Sequence, residues 1–251
     1  MTQPTSHNIL EGKHILITAS AGAGIGFATA KRCAEEGASV VLSDTHERRL
    51  GEAAEEIAKI AGEAPAAILC DVTKEDQVQN LFDRAGDLDV VVCNAGLGGT
   101  RNLVDMTDDE WFAVLDVTLN GTMRCVRAAL RQMIPRKQGV IVTNSSILGW
   151  RAQEGQAHYA AAKAGVMALT RTAAIEGAPH NVRVNSVAPS LAIHPFLSKV
   201  MPEETLQELI ELELFKRSAE TWEVANVIVF LASDYSSYMT GEVVSVSSQH
   251  P

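Results

Sequence analysis

Seven short apolar runs recur along the chain, all but the last followed by a longer stretch of helical pattern, and this alternation leaves few folds open. The runs are HILITA (14–19), ASVVLSD (38–44), AAILCD (66–71), LDVVVCNAG (88–96), GVIVTNSS (139–146), VRVNSVAP (182–189) and EVVSVSS (242–248). They are continuously apolar rather than alternating, as strands are when helices cover both faces. The stretches between them are amphipathic, as in RRLGEAAEEIAKIAG (48–62). Alternation kept up this regularly predicts an α/β fold, a doubly wound parallel sheet of about seven strands. No repeat, linker or low-complexity tract interrupts it, so residues 1–251 are expected to form one domain.

The pattern breaks once, at SLAIHPFLSKVMPEETLQELIELELFKRSAE (190–220), where two prolines and an acidic amphipathic run precede the last helix and strand. Open α/β sheets bind ligands beyond the carboxyl ends of their strands. The segment at about 190–220 is therefore expected to act as a substrate lid.

Composition narrows the partners. A formal charge of −10 argues against nucleic acid and against an anionic membrane surface, both of which call for clustered Lys and Arg. Cys33, Cys70, Cys93 and Cys125 are far apart in apolar runs, which reads as buried thiols in a reducing compartment. The seven histidines show no metal-ligand spacing, so no metal site is expected. With no signal-peptide core and no run long enough to span a membrane, a cytoplasmic location is expected.

Two places carry chemistry. After the first strand comes TASAGAGIG (18–26), a glycine-rich turn into a helix. Such a turn brings backbone N–H groups and a helix N-terminus to a pyrophosphate, making Ser20, Gly24, Ile25 and Gly26 candidate contacts. The second strand ends at Asp44, where a carboxylate can accept from ribose hydroxyls and repel a 2′-phosphate. NAD(H) is favoured on that ground, while the nearby Arg48 and Arg49 leave NADP(H) open. Later, in GQAHYAAAKAG (155–165), Tyr159 and Lys163 lie one helical turn apart on one face. An ammonium beside a phenol favours the phenolate and is expected to lower its pKa.

These residues, with NAG (94–96), NSS (144–146), RVNSVAP (183–189) and EVANVIVFLASDYSSYMTGEVV (223–244), give the chain a resemblance to the short-chain dehydrogenase/reductase family. The resemblance implies a single-domain, Rossmann-like fold and hydride transfer between a nicotinamide dinucleotide and a secondary alcohol or ketone. It implies that Tyr159 is the general acid/base, that Lys163 also reaches the cofactor ribose, and that Ser146 holds the substrate oxygen. Ser145 is the rival, but strand alternation should turn it away. By the same resemblance Asp71 and Val72 contact the adenine, while Asn94, Ala95 and Gly96 line the ribose side. Pro189, Ala192 and His194 would cover the nicotinamide, and Leu148, Gln153 and Phe196 would meet the substrate.

The chain departs from the family pattern in places. Its glycine loop is one residue longer, and Thr118, in VTLNGT, stands where the family has a catalytic asparagine. Thr118 is expected to hold a relay water through its hydroxyl or to alter the relay. The motifs are most similar to actinobacterial members that act on CoA thioesters of bicyclic keto or hydroxy acids in sterol-ring breakdown. A linear 3-oxoacyl-thioester reductase and a non-catalytic dinucleotide sensor are the alternatives. Family resemblance also implies a homotetramer.

Overall fold

The computed structural model describes residues 2–193 and 203–248. Its strands are β1 (His14–Thr18), β2 (Ser39–Asp44), β3 (Ala66–Leu69), β4 (Val90–Cys93), β5 (Gly139–Asn144), β6 (Val182–Pro189) and β7 (Val243–Val246). They form one sheet in the order β3-β2-β1-β4-β5-β6-β7, with every pairing parallel. The helices are α1 (Ile25–Glu35), α2 (Glu47–Ala61), α3 (Glu75–Ala85), α4 (Asp108–Leu115), α5 (Gly121–Arg136), α6 (Ala157–Gly177), α7 (Glu203–Leu212) and α8 (Thr221–Ala232). The sheet is a Rossmann-like, doubly wound one. Strand order reverses between β1 and β4, which opens a crevice beyond their carboxyl ends.

The continuous apolar runs arise because successive side chains enter two different cores. Leu16, Val91 and Ile141 pack against Val78, Leu81, Phe82, Cys125 and Met133 from α3 and α5. Their neighbours Ile15, Ile17, Val90, Val92 and Val142 pack on the opposite face with Ala30, Leu50, Ile57, Val224 and Ile228 from α1, α2 and α8. Each such large side chain contributes roughly 1.5–3 kcal/mol on burial. The edges behave differently. In β3 only Ile68 is buried and Leu69 is 44% exposed, because one side of that strand has no neighbour in the sheet.

Two junctions shape the site. Helices α4 and α5 run on through a single π turn, Asp116–Asn120, which carries Thr118. Leu191 and Ala192, at the start of the expected lid, are buried in the body: the Ala219 N–H donates to the Leu191 carbonyl (2.8 Å), and Ala192 bridges Ala219. All four cysteines are buried free thiols, and burial pushes Cys33 and Cys70 up to about 12. Among the described residues, no helix is long and apolar enough to cross a membrane.

Candidate active site

The glycine loop leads out of β1 into α1. Ala19 and Gly22 both take positive φ, 51° and 90°. A Cβ on Gly22 or Gly24 would meet nothing within 4 Å, so this part of the loop faces open space. Gly24 caps α1 without a side-chain hydrogen bond, and the first turn carries no acidic residue. Its N–H groups and positive dipole end are thus available to an anion, which fits a pyrophosphate.

Gly26 serves a different purpose. A Cβ there would lie 2.2 Å from the Ala19 carbonyl oxygen and 2.5 Å from Asn94 Nδ2. Helix α1 can approach β1 and β4 this closely only without a side chain. Gly26→Ala is expected to cost about 3 kcal/mol or more and to weaken nucleotide binding with it, checked by denaturant melts and NADH titration.

Around the loop, the predicted contacts divide. The Ser20 hydroxyl is fully buried and accepts the Ser43 N–H at 3.0 Å, so its side chain ties the loop to β2 instead of facing the crevice. Ile25 packs its side chain on the α1/α2/α8 core, which leaves its N–H for a ligand. Asp44 accepts the Ala21 N–H (3.1 Å) and the His46 N–H (3.1 Å), one on each oxygen, and is held at the loop's edge with further lone pairs to offer. Asp71 Oδ1 accepts the N–H and hydroxyl of Thr73 (2.9 and 2.8 Å) in a tight turn. Val72 is buried against Gly121, where a Cβ would come within 2.5 Å.

Across the reversal, β1 and β4 are locked by Thr18, which the sequence pattern does not single out. Its hydroxyl accepts from the N–H of Asn94 (2.9 Å) and of Ala95 (3.2 Å). Gly96 follows, and a Cβ there would sit 3.5 Å from Lys163 Nζ and 3.8 Å from Thr118 Oγ1. One small gap therefore brings together β4, the π turn and α6.

Helix α6 carries Tyr159 and Lys163 in its first two turns. Lys163 is 3% exposed; its ammonium donates to the Asn144 carbonyl at 2.6 Å and stands 5.5 Å from the Tyr159 ring centroid. Ser146 caps a short turn, Ile147–Gly149; its hydroxyl accepts the Leu148 N–H (3.2 Å) and hydrogen-bonds the Tyr159 phenol. Ser145 donates to the Lys163 carbonyl (2.8 Å), inside the body. His158, also absent from the sequence pattern, accepts the Tyr159 N–H on Nδ1 at 2.9 Å and so steadies the start of α6.

The electrostatics differ from the expectation of a lysine-depressed phenol. Burial raises the Tyr159 pKa and the Ser146 hydrogen bond only partly opposes it, so the net shift is upward. Lys163 is itself lowered to about 8 by burial. Its charge turns to the Asn144 carbonyl, and desolvation wins over attraction for both groups. A half-buried, protonated phenol beside a serine hydroxyl can act as an acid toward a carbonyl oxygen.

Thr118 also differs in its connections. Its hydroxyl accepts the Leu97 N–H (3.0 Å) and donates to the Leu97 carbonyl (3.1 Å). With its one proton committed, the hydroxyl shapes the loop after β4. Leu148 and Gln153 are half-buried. Pro189 ends β6, and Ala192 turns its methyl into the core, leaving its backbone to a ligand. His194 and Phe196 lie outside the described residues.

A family model described as enoyl-(acyl carrier protein) reductase matches residues 19–248. The chain is 57% identical over 250 residues to the (5R,7aS)-5-hydroxy-7a-methyl-1-oxo-2,3,5,6,7,7a-hexahydro-1H-indene-carboxyl-CoA reductase of Mycobacterium tuberculosis, spanning 98% of this chain and 95% of that one. Among solved structures it is similar to a short chain dehydrogenase from Mycobacterium smegmatis (TM-score 0.88, 52% identity, 100% of this chain and 98% of the other). It is also similar to a 3-oxoacyl-[acyl-carrier protein] reductase with bound NAD from Brucella melitensis (TM-score 0.90, 31% identity, 99% and 96%). With the likeness running from the glycine loop to the last strand, the chain belongs to the short-chain dehydrogenase/reductase family, oxidoreductases that interconvert alcohols and ketones with a nicotinamide dinucleotide.

Proposed function

We propose that this oxidoreductase uses NAD(H) on the ring ketone or ring alcohol of a bicyclic acid carried as its CoA thioester, in sterol-ring breakdown in the cytoplasm. The observation that carries the substrate is the 57% identity to the indene-carboxyl-CoA reductase over nearly the full length of both chains. The glycine loop, Asp44, Asp71, Val72, Asn94, Ala95 and Gly96 hold the dinucleotide. When bound, the nicotinamide supplies or accepts the hydride. Tyr159 gives its proton to the ketone oxygen, or takes it from the alcohol, while Ser146 holds that oxygen in line. Lys163 steadies the phenol and meets the ribose. Residues 1–251 act as one domain, with 190–220 as the substrate lid; its base is held by the Ala219 N–H to Leu191 carbonyl hydrogen bond, and Leu148 and Gln153 contact the ring. The groove between α5 and α6, lined by Met123, Val126, Leu130, Ile134 and Leu169, supports assembly as a homotetramer.

The test is consumption of NADH, with NADPH in parallel, over linear 3-oxoacyl-CoAs and a bicyclic ketone offered as free acid and as CoA thioester. The thioester of the bicyclic ketone is expected to turn over fastest. Preference for a linear thioester would instead support a reductase like that of Brucella melitensis. Binding of NADH with no turnover of any ketone would favour the sensor reading, against which the Ser146–Tyr159–Lys163 arrangement speaks. Asp44→Ser is expected to narrow the NADH preference by about tenfold, read as the ratio of kcat/KM for the two cofactors, because a like charge no longer opposes the 2′-phosphate.

A further inference from the structure

One buried carboxylate lies outside the site already described. Glu213 follows α7 and is only 1% exposed, yet among the described residues no lysine, arginine or histidine pairs with it. The cations that follow it in the chain are engaged elsewhere, Lys216 with Glu211 and Arg217 with Glu223. Neutral donors from distant parts of the chain meet its oxygens instead. Oε2 accepts the Ser248 hydroxyl at 2.7 Å, just beyond β7, and Oε1 accepts the Leu191 N–H at 3.5 Å, just beyond β6. Burying a carboxylate without a cation is costly. Holding the segments together does not require it. The Ser190 N–H donates to the Val246 carbonyl (3.1 Å), the Leu214 N–H to the Ser248 carbonyl (3.1 Å) and the Ala219 N–H to the Leu191 carbonyl (2.8 Å), so backbone bonds already close this junction.

The carboxylate adds control over one peptide group. Among the described residues, Glu213 alone accepts the Leu191 N–H, while the Leu191 carbonyl is taken by Ala219. Both backbone polar groups of Leu191 are thereby turned into the body. In extended backbone the next residue presents its own pair the opposite way. That residue is Ala192, whose methyl is buried and whose N–H and carbonyl no described residue bonds. One donor beside one acceptor matches a carboxamide, the polar group that a nicotinamide carries.

We propose that Glu213 is a positioning residue for the nicotinamide end of the dinucleotide: its carboxylate, steadied by Ser248, fixes the Leu191 peptide and so holds the Ala192 N–H and carbonyl toward the ligand. The inference rests on the reading of Ala192 as a nicotinamide contact. It links the end of the last strand, through one side chain, to the first residues of the 190–220 segment.

Nucleotide binding and amide exchange in the full chain test this without turnover. In Glu213→Leu, NADH should bind about tenfold more weakly by fluorescence titration. ADP-ribose, which lacks the nicotinamide, should bind as it does to the wild type by calorimetry. The Leu191 amide should exchange about tenfold faster in the nucleotide-free variant. Glu213→Gln keeps an oxygen for Leu191 and gains an NH2 that can donate to the Ser248 hydroxyl, so NADH binding should return to within about threefold of the wild type. Ser248→Ala releases Oε2 alone; it should weaken NADH about threefold and serves where the leucine variant fails to fold. Equal losses for NADH and ADP-ribose would mean a general loosening and would overturn the proposal. NADH binding unchanged in the folded variants would overturn it too. Loss of turnover throughout the ketone panel, with these binding differences intact, would count against the substrate reading alone.

Discussion

Tyr159→Phe should bind NADH as the wild type does and lose ketone reduction by a factor of about 10² to 10⁴. The substitution removes one hydroxyl from a half-buried ring and leaves the glycine loop, Asp44 and Asn94 untouched. The phenol is the acid closest to where the substrate oxygen would meet Ser146, and nothing nearby replaces its proton. His158, its chain neighbour on α6, spends Nδ1 on the Tyr159 N–H. Burial holds the phenol protonated through the neutral range, so reduction should be flat there. Above about pH 8 it should fall as Lys163 loses its charge. Alcohol oxidation, which needs the phenolate, should rise with pH over the same neutral range. Steady-state rates in both directions, beside fluorescence titration with NADH, check each part. A phenylalanine variant retaining more than a tenth of wild-type reduction would remove Tyr159 from the proton-transfer role.

Lys163→Met should abolish useful turnover and yet make the protein more stable. Burial drops the lysine from 10.5 to about 8, a penalty corresponding to about 3 kcal/mol at neutral pH. Methionine removes the charge and fills much of the space. The Asn144 carbonyl then lacks its donor, which returns about 1 kcal/mol of the gain. A net gain of about 2 kcal/mol should raise Tm by about 4–8 °C in a chain of this size. The pH dependence follows from the same numbers. Between about 8 and 10.5 the unfolded chain binds the proton that the folded one has released, so wild-type stability receives a rising contribution with pH there. That contribution should be missing from Lys163→Met. Equal melting temperatures at pH 7, with the same slope above pH 8, would show that the lysine is not held desolvated.

The structure also explains why some of these residues could be read from the sequence and others could not. Tyr159 and Lys163 share a helix, and a spacing of four determines their alignment wherever that helix sits. Asp44 and the glycine loop stand out because each ends an apolar run, where the chain leaves the sheet and meets the crevice. Asn144 ends a strand in the same way, but its importance depends on a hydrogen bond from α6 and another to β4, 19 and 50 residues away in the chain. Ser20 is a candidate contact in sequence because it lies in the glycine-rich turn. Only the approach of β2 reveals that its hydroxyl is spent on Ser43.

Local pattern by itself determined the strand–helix alternation, the parallel sheet and the tyrosine–lysine face, since periodicity and helical spacing are properties of neighbours in the chain. It could not determine the direction in which Tyr159 titrates. That depends on whether desolvation by the surrounding elements outweighs one nearby charge, and burial is set by parts of the chain that come together only on folding. Nor could it determine which carbonyl receives the Lys163 ammonium. That carbonyl belongs to Asn144 at the end of β5, 19 residues earlier in the chain, and only the packing of α6 against the sheet brings the two together.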